Sequence, residues 1–231
     1  MPSPTPRSDL RVVIVEDHML FAESLELALT IEGYDVRRVP VPDADTSPAA
    51  LLRTVTRLNP RIVLLDLDLG TFGEGERLIT PLAKAGINVV VVTAATEQAR
   101  WGEAVRFGAR KVLSKSRPLN EILATVRRLN QGLRVMEREE REELLATWGR
   151  ERAHLVTARS KLELLTIRER QVLAQLMEGN TVREIAAAGV VSEATVRTQV
   201  KSILAKLEVT SQLAAVGLAH RVAWSAAKQH A

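Results

Sequence analysis

Apolar residues in the first part of the chain alternate between two patterns. Short runs rich in β-branched residues are separated by stretches with helical spacing of apolar side chains, which is typical of βα units. Three runs, at 12–15, 62–65 and 89–92, are apolar without interruption, as strands covered on both faces require. The predicted strands are Arg11–Val15, Val36–Val39, Arg61–Leu65, Asn88–Val92 and Lys111–Leu113. Helices are predicted near 18–32, 48–58, 75–85, 97–107 and 118–131. This order predicts an α/β fold with a doubly wound, five-stranded parallel sheet.

A different pattern follows this predicted sheet. Trp148, Leu155 and Leu162 recur every seven residues, and a neighbouring track carries Leu144, Ala158 and Leu165. Such spacing predicts a linker helix with one apolar stripe. The stripe either packs on the chain's own domains or pairs with a second copy as a short coiled coil. From Leu165 to about Ala219 the pattern is helical throughout, which predicts an all-α domain.

Composition and charge narrow the classes of protein only slightly. The net charge of +4 permits a polyanionic partner without demanding one. The chain has no cysteine, which excludes disulfides and thiolate metal sites. The start, residues 1–7, is polar and proline-rich and lacks the apolar segment of a signal peptide, and the longest apolar runs are too short to span a bilayer. We therefore expect a cytoplasmic protein with no membrane partner.

Reactive residue types stand where the predicted strands end. Glu16 and Asp17 follow the first strand, Asp66 the third, Thr93 the fourth, and Lys115 comes just after the fifth. A doubly wound sheet brings these ends to one edge, where ligands bind. Three carboxylates together repel one another unless a cation lies among them, and oxygen ligands of this kind suit Mg²⁺. An Asp activated in this way can act as a nucleophile and form an acyl phosphate.

The segments 15–18, 64–68, 92–94 and 113–115 resemble the receiver domain of two-component response regulators, over roughly residues 10–131. The resemblance implies a flavodoxin-like receiver in which Asp66 accepts phosphate from a sensor histidine kinase. It also implies that Glu16, Asp17, Asp66 and the backbone carbonyl of Asp68 hold Mg²⁺. Thr93 and Lys115 would contact the phosphoryl oxygens.

Two positions depart from the family pattern. Val112 stands three residues before Lys115, where an aromatic residue is usual, and Gly70 replaces the proline common four residues after the acceptor. The usual Thr-to-aromatic switch therefore cannot operate in its ordinary form. One alternative is a regulator of the same architecture that ignores phosphate. A more remote one is an Mg²⁺-dependent phosphatase, since Asp66-Leu-Asp68 also resembles an Asp-x-Asp phosphatase loop, although that loop normally follows the first strand.

The C-terminal segment predicts short helices joined by tight turns. Thr166 and Glu169 form the sequence of a capping box, a helix is predicted at Val182–Ala188, and Ser192 is placed to cap the next helix, at 194–206. That helix carries Arg197, Thr198 and Lys201 on one face, which makes it a candidate DNA-reading helix.

The segments 165–173, 184–186, 191–196 and 203–207 resemble the LuxR-type helix-turn-helix, over about 164–220. The resemblance implies that Arg197, Thr198 and Lys201 enter the major groove of double-stranded DNA, while Thr195 and Lys206 contact its backbone. The chain is thus identified as similar to response regulators of the NarL/FixJ type and is expected to be a homodimeric transcription regulator, not an enzyme. The expected domains are a receiver at 10–131, a helical linker at 132–163 and a DNA-binding domain at 164–225.

Overall fold

The apolar runs of the first half pair as five parallel strands in a computed structural model that describes residues 10–41 and 47–225. The order across the sheet is β2-β1-β3-β4-β5. The strands are β1 (Arg11–Val15), β2 (Asp35–Val39), β3 (Ile62–Leu65), β4 (Asn88–Thr93) and β5 (Lys111–Ser114). Each predicted strand is confirmed, with its ends shifted by at most one residue. The predicted polar tail at 1–7 lies outside the described residues.

Five helices cover the two faces of this sheet and confirm the doubly wound fold. They are α1 (Met19–Ile31), α2 (Pro48–Arg57), α3 (Glu76–Lys84), α4 (Gln98–Phe107) and α5 (Leu119–Asn130). Side chains alternate along each strand, so β1 sends Val12 and Ile14 into one apolar core and Val13 and Val15 into the other. The first core is closed by α1 and α5, and the second by α2, α3 and α4.

The linker region contains one long helix, α6 (Arg138–Glu163). Leu144 belongs to a core of the sheet domain, whereas Ala158, Leu162 and Leu165 belong to the core of the C-terminal helices. The apolar stripe is therefore used within the chain, which is the first of its two predicted uses. Each half of α6 thus covers apolar residues of a different core.

Four shorter helices follow α6. They are α7 (Ile167–Met177), α8 (Val182–Ala188), α9 (Glu193–Leu207) and α10 (Gln212–Arg221). Apolar residues at helical spacing, among them Val172, Leu173, Val196, Val200 and Ile203, close on one aliphatic core. The all-α character predicted for this region is confirmed.

The chain divides into two compact units, and the boundary between Gly149 and Arg150 lies within α6. The finer division into 10–131, 132–163 and 164–225 stays a prediction. Within the described ranges, no single helix has the length and apolarity needed to cross a membrane. The adjoining helices α9 and α10 meet that criterion only as a pair, with a bend of 55° between them.

Candidate functional site

The carboxyl ends of β1 and β3 bring together the three predicted carboxylates. Val15 and Leu65 are register partners in neighbouring parallel strands, so the residues that follow them emerge side by side. Glu16, Asp17 and Asp66 each offer a carboxylate oxygen, and these oxygens lie within 4.8 Å of one another. Glu16 and Asp66 are buried, whereas Asp17 is exposed. This arrangement suits a small oxygen-preferring cation that keeps some of its water ligands, as Mg²⁺ does.

Lys115 completes the cluster from the end of β5. Its ammonium donates to Asp66 Oδ2 at 2.6 Å and to Glu16 Oε1 at 2.7 Å, and it lies 5.2 Å from the centre of the Phe21 ring. Burial works to lower the pKa of Lys115, but the hydrogen bonds to Asp66 and Glu16 raise it above its ordinary value. Burial raises the pKa of Glu16, and the bonds from Lys115 and the His18 amide offset this only in part. Lys115 is thus a fixed positive charge beside Asp66.

Thr93 lies at the end of β4 and is fully buried. Its hydroxyl accepts a hydrogen bond from the Ala95 amide at 3.1 Å, which fixes the hydroxyl at the same edge of the sheet. The second oxygen of Asp66, Oδ1, accepts from the Asp68 amide at 3.2 Å. The Asp68 carboxylate is paired with Arg100, which leaves the backbone carbonyl of Asp68 as its candidate metal ligand.

Two glycines allow the loop after Asp66 to approach this cluster closely. Gly70 has φ +54°, and a Cβ there would lie 2.8 Å from Asp17 Oδ2. A Cβ at Gly75 would lie 2.1 Å from the Asp66 carbonyl oxygen, closer than any side chain permits. Proline, which requires φ near −65°, cannot adopt the conformation of Gly70. The departure from the family pattern at Gly70 therefore has a local structural cause.

Arg100, in the first turn of α4, binds the same loop from the other side. Its guanidinium donates to the Asp68 carboxylate at 2.8 and 3.0 Å, to the Leu67 carbonyl at 3.2 Å, and to the carboxylate of Glu76. Burial tends to lower the pKa of Arg100, yet the bonds to Asp68 and Glu76 raise it overall. Glu76 is itself 8% exposed, so this is a largely buried ion pair between α4 and the start of α3.

The C-terminal unit presents the face of α9 that the sequence predicts. Ser192 caps α9 by accepting from the Thr195 amide at 3.1 Å, as predicted. Thr195, Arg197, Thr198 and Lys201 are all exposed, and Arg197 pairs with Glu193 one turn earlier at 2.9 Å. The opposite face of α9 is buried in the core. The helix thus offers a polar, basic surface to an external partner.

Lys206 lies apart from that surface and binds within the unit. Its ammonium donates to Glu169 Oε2 at 2.7 Å, and Ser202 donates to Glu169 Oε1 at 2.6 Å. Glu169 also closes the capping box of α7 by accepting from the Thr166 amide at 2.7 Å. Burial tends to raise the pKa of Glu169, but the bonds from Lys206, Ser202 and Thr166 lower it to about 2. Glu169 therefore joins the start of α7 to the end of α9.

Two known protein families match the regions that carry the carboxylate cluster and the exposed face of α9. Residues 12–127 match the sequence model of the response regulator receiver domain, which is half of the chain. Residues 163–219 match the model of the bacterial regulatory proteins of the luxR family. The chain is a two-component response regulator. Its two matched regions, a receiver followed by a LuxR-type helix-turn-helix, define the NarL/FixJ type. A search of curated proteins gave no match.

Several solved response regulators are similar to this one along most of their length. An RcsB–DNA complex is 22% identical with a TM-score of 0.49, and RcsB from Salmonella typhimurium is 22% identical with a TM-score of 0.48. Each alignment covers 92% of this chain and 98% of the other. ChrA, from a heme-sensing two-component system, is 23% identical with a TM-score of 0.44, over 92% of this chain and 96% of its own.

Two departures of this response regulator from its family are visible as local structure. Val112 is 3% exposed in the core, so a buried aliphatic side chain occupies the position on β5 that is usually aromatic. In the helix-turn-helix, the turn residue Val190 has φ +50° and is 92% exposed. Gly189 has φ −86°, so the reversed order of these two residues places a β-branched side chain in a conformation that favours glycine.

Sequence reasoning did not find three contacts of this response regulator: Arg100 with Asp68 and Glu76, Glu169 with Lys206, and Lys111 with Glu140. Their members are ordinary charged residues, and each pair is separated by 24 or more residues. The capping-box role of Glu169 is predictable from Thr166 three residues earlier, but its ion pair with Lys206 of α9 is not. No local pattern in the sequence signals the other contacts.

Proposed function

We propose that this response regulator is switched by phosphorylation of Asp66 and acts as a DNA-binding transcription regulator, not as an enzyme. The observation that carries the proposal is the environment of Asp66. One of its oxygens bonds to Lys115, and its neighbours Glu16 and Asp17 supply the carboxylates that a divalent cation needs. A buried carboxylate in such surroundings is suited to become an acyl phosphate.

Phosphoryl transfer at Asp66 requires one bond to form and one to break. An Asp66 carboxylate oxygen attacks the phosphorus of the donor, the bond from phosphorus to the donor's leaving group breaks, and the leaving group departs with its electron pair. Lys115 and the Thr93 hydroxyl, which lie at the same edge of the sheet, hold the transferred oxygens. Glu16, Asp17, Asp66 and the Asp68 carbonyl would hold Mg²⁺, which neutralises charge on the phosphoryl group when it is bound.

The proposed partners follow from the two surfaces. The donor is a sensor histidine kinase, and the proposed site of the reaction is the cytoplasm. Double-stranded DNA is read by α9 through Arg197, Thr198 and Lys201, and Thr195 contacts the backbone. Lys206 reaches DNA only if it leaves Glu169. Its contact is therefore the weakest of those proposed for the five predicted DNA-binding residues. A homodimer on two half-sites remains our expectation from the symmetry of such sites. Since the α6 stripe is used within the chain, the dimer requires another surface.

Intact-mass spectrometry tests the switch directly. The full chain is incubated with Mg²⁺ and acetyl phosphate beside Asp66→Asn and a matched control, Asp35→Asn. Asp35 is also an aspartate, but it lies at the first residue of β2, at the edge of the sheet opposite to Asp66. There it pairs with Arg11 at 2.7 Å. We expect the mass of one phosphoryl group to be gained by the native chain and by Asp35→Asn, and not by Asp66→Asn. A gain in Asp66→Asn, or none in the native chain, contradicts the assignment.

The second candidate is a regulator of the same architecture that does not use phosphate. Val112 favours it, because a core valine cannot perform the usual aromatic movement. An unphosphorylated native chain that still shifts genomic DNA fragments in gels would support this candidate. The Asp-x-Asp phosphatase is not favoured, since Asp66 follows the third strand and the Asp68 side chain is bound by Arg100.

A further inference from the structure

A phosphorylated Asp66 in this regulator needs a route to the rest of the receiver that avoids residue 112. Thr93 is fully buried with its hydroxyl bound to the Ala95 amide, and Val112 has no group that can follow it. A connection that does not involve residue 112 is the chain that follows Asp66 itself. Its next two residues, Leu67 and Asp68, are both held by a residue of a different element, Arg100.

Arg100 binds this loop through several hydrogen bonds of fixed direction. Its two terminal nitrogens bind the two oxygens of Asp68, and one of them also reaches the Leu67 carbonyl. Its third nitrogen binds Glu76 at the start of α3. A planar guanidinium bound in this forked way cannot slide along its partners, so a displacement of the loop must be followed by the first turn of α4.

The next turn of α4 is in backbone contact with α6. A Cβ at Gly102, two residues after Arg100, would lie 2.1 Å from the Leu144 carbonyl oxygen and 2.8 Å from Trp148 Cβ. The start of α6 is further fastened to β5 by Lys111, which donates to Glu140 at 2.6 and 2.7 Å. Because Gly102 contributes no side chain, α4 and α6 approach closely at this point, and a shift of α4 is passed directly to the Leu144 backbone and the base of the Trp148 side chain.

We propose that Arg100 is a positioning residue that couples the phosphorylation state of Asp66 to α4 and, through Gly102, to α6. Phosphorylation replaces the single negative charge of the Asp66 carboxylate by a phosphoryl group that carries about −1.5 to −2 beside Leu67 and Asp68. The Asp68 amide, which donates to Asp66 Oδ1, then faces an acyl phosphate in place of a carboxylate, and Arg100 carries the resulting shift of the loop to α4. The inference rests on Asp66 being the phosphoacceptor.

Trp148 provides a reporter at the far end of this route. In a background with Trp101→Phe and Trp224→Phe, Trp148 is the sole tryptophan of the full chain, because the sequence has three. The comparison uses Arg100→Gln, Arg100→Lys and a matched control, Arg77→Gln, each in that background. Arg77 is an exposed arginine of α3 whose ion pair is with Glu74 at 3.6 Å, and not with Asp68 or Glu76.

Each variant is brought to the same degree of phosphorylation with acetyl phosphate and Mg²⁺, measured by intact mass, and its emission is then recorded. We expect phosphorylation to change the Trp148 emission in the parent and in Arg77→Gln, and to leave it unchanged in Arg100→Gln. Arg100→Lys, which keeps the charge but not the fork, should give a reduced change. Since Arg100→Gln strands the buried carboxylate of Glu76, the double variant Arg100→Gln/Glu76→Gln repeats the test with no buried charge left unpaired, because the Asp68 side chain is exposed.

The outcomes separate this inference from the function on which it rests. A phosphorylated parent with no Trp148 response overturns the route from Asp66 to α6. A full response in phosphorylated Arg100→Gln, or in the double variant, overturns the role of Arg100. No phosphorylation of the parent overturns the proposed function instead, and the inference falls with it.

Discussion

Replacement of Glu169 by glutamine should destabilise the C-terminal unit of this response regulator. The Glu169 carboxylate is 5% exposed and accepts from Lys206, Ser202 and the Thr166 amide at 2.6 to 2.7 Å. Glutamine has the same shape, so the packing is kept and the negative charge is lost. The change therefore isolates the contribution of the charge to the stability of α7 against α9.

The magnitude follows from the pKa of Glu169. The gap between the ordinary value of 4.5 and about 2 corresponds to roughly 3 kcal/mol of preference for the ionised carboxylate in the folded state. A hydrogen bond to a charged group is worth about 1.5–3 kcal/mol net. Because the glutamine amide still accepts from Thr166, we expect Glu169→Gln to lower the free energy of unfolding by about 2 kcal/mol.

The pH dependence has a definite sign. The pKa of Glu169 is lower in the folded state, so its contribution is complete above about 4.5 and is lost as the pH falls toward about 2. The difference in the free energy of unfolding between the native chain and Glu169→Gln should therefore disappear within this acid range. At pH 7 the full difference should be present.

Urea unfolding followed through Trp224 measures the effect. Trp224 is 9% exposed in the core of the C-terminal unit, and Trp101→Phe with Trp148→Phe removes the signal of the other unit. A loss of about 2 kcal/mol moves the midpoint down by roughly 1–2 M urea. Glu184→Gln is the matched control, since Glu184 closes the same kind of capping box at Thr181 on an exposed surface.

Equal shifts of the urea midpoint in the two glutamine variants, or an unchanged midpoint in Glu169→Gln at pH 7, would contradict this prediction. A double-mutant cycle with Lys206→Met adds an independent check. We expect the two substitutions together to cost less than the sum of their separate effects, because they remove the same ion pair. Strict additivity would show that Lys206 and Glu169 do not stabilise one another.

Three further substitutions test other parts of the C-terminal unit. Val190→Gly should stabilise it by about 0.5–1 kcal/mol by relieving the positive φ, and a lower urea midpoint would contradict this. Leu162→Ala, at a fully buried position, should cost about 2–5 kcal/mol in the same unfolding assay; a cost below 1 kcal/mol would mean that α6 does not contribute to this core. Lys201→Ala should weaken binding to genomic DNA fragments in gel shifts by about 1–3 kcal/mol with an unchanged Trp224 transition, and unchanged binding would show that another face of α9 meets the DNA.

The amino-acid sequence by itself determined the elements of this protein and the chemistry at the sheet edge. Strands at 12–15, 62–65 and 89–92 are readable because a strand buried on both faces needs an unbroken apolar run. The grouping of Glu16, Asp17 and Asp66 is readable because parallel strands end at one edge. Capping residues such as Thr166 and Ser192 act on amides three residues away, so their roles are local as well.

The tertiary structure alone decided how those elements are joined. Arg100 lies 24 residues from Glu76, and Glu169 lies 37 from Lys206, so neither pair leaves a periodic or local signal. The same holds for the α6 stripe, since the sequence contains the apolar residues but not the surface that covers them. Periodicity reports which side of an element is buried, whereas the partner of a buried or charged group depends on where distant elements meet. That placement directs Asp68 to Arg100 and Lys206 to Glu169.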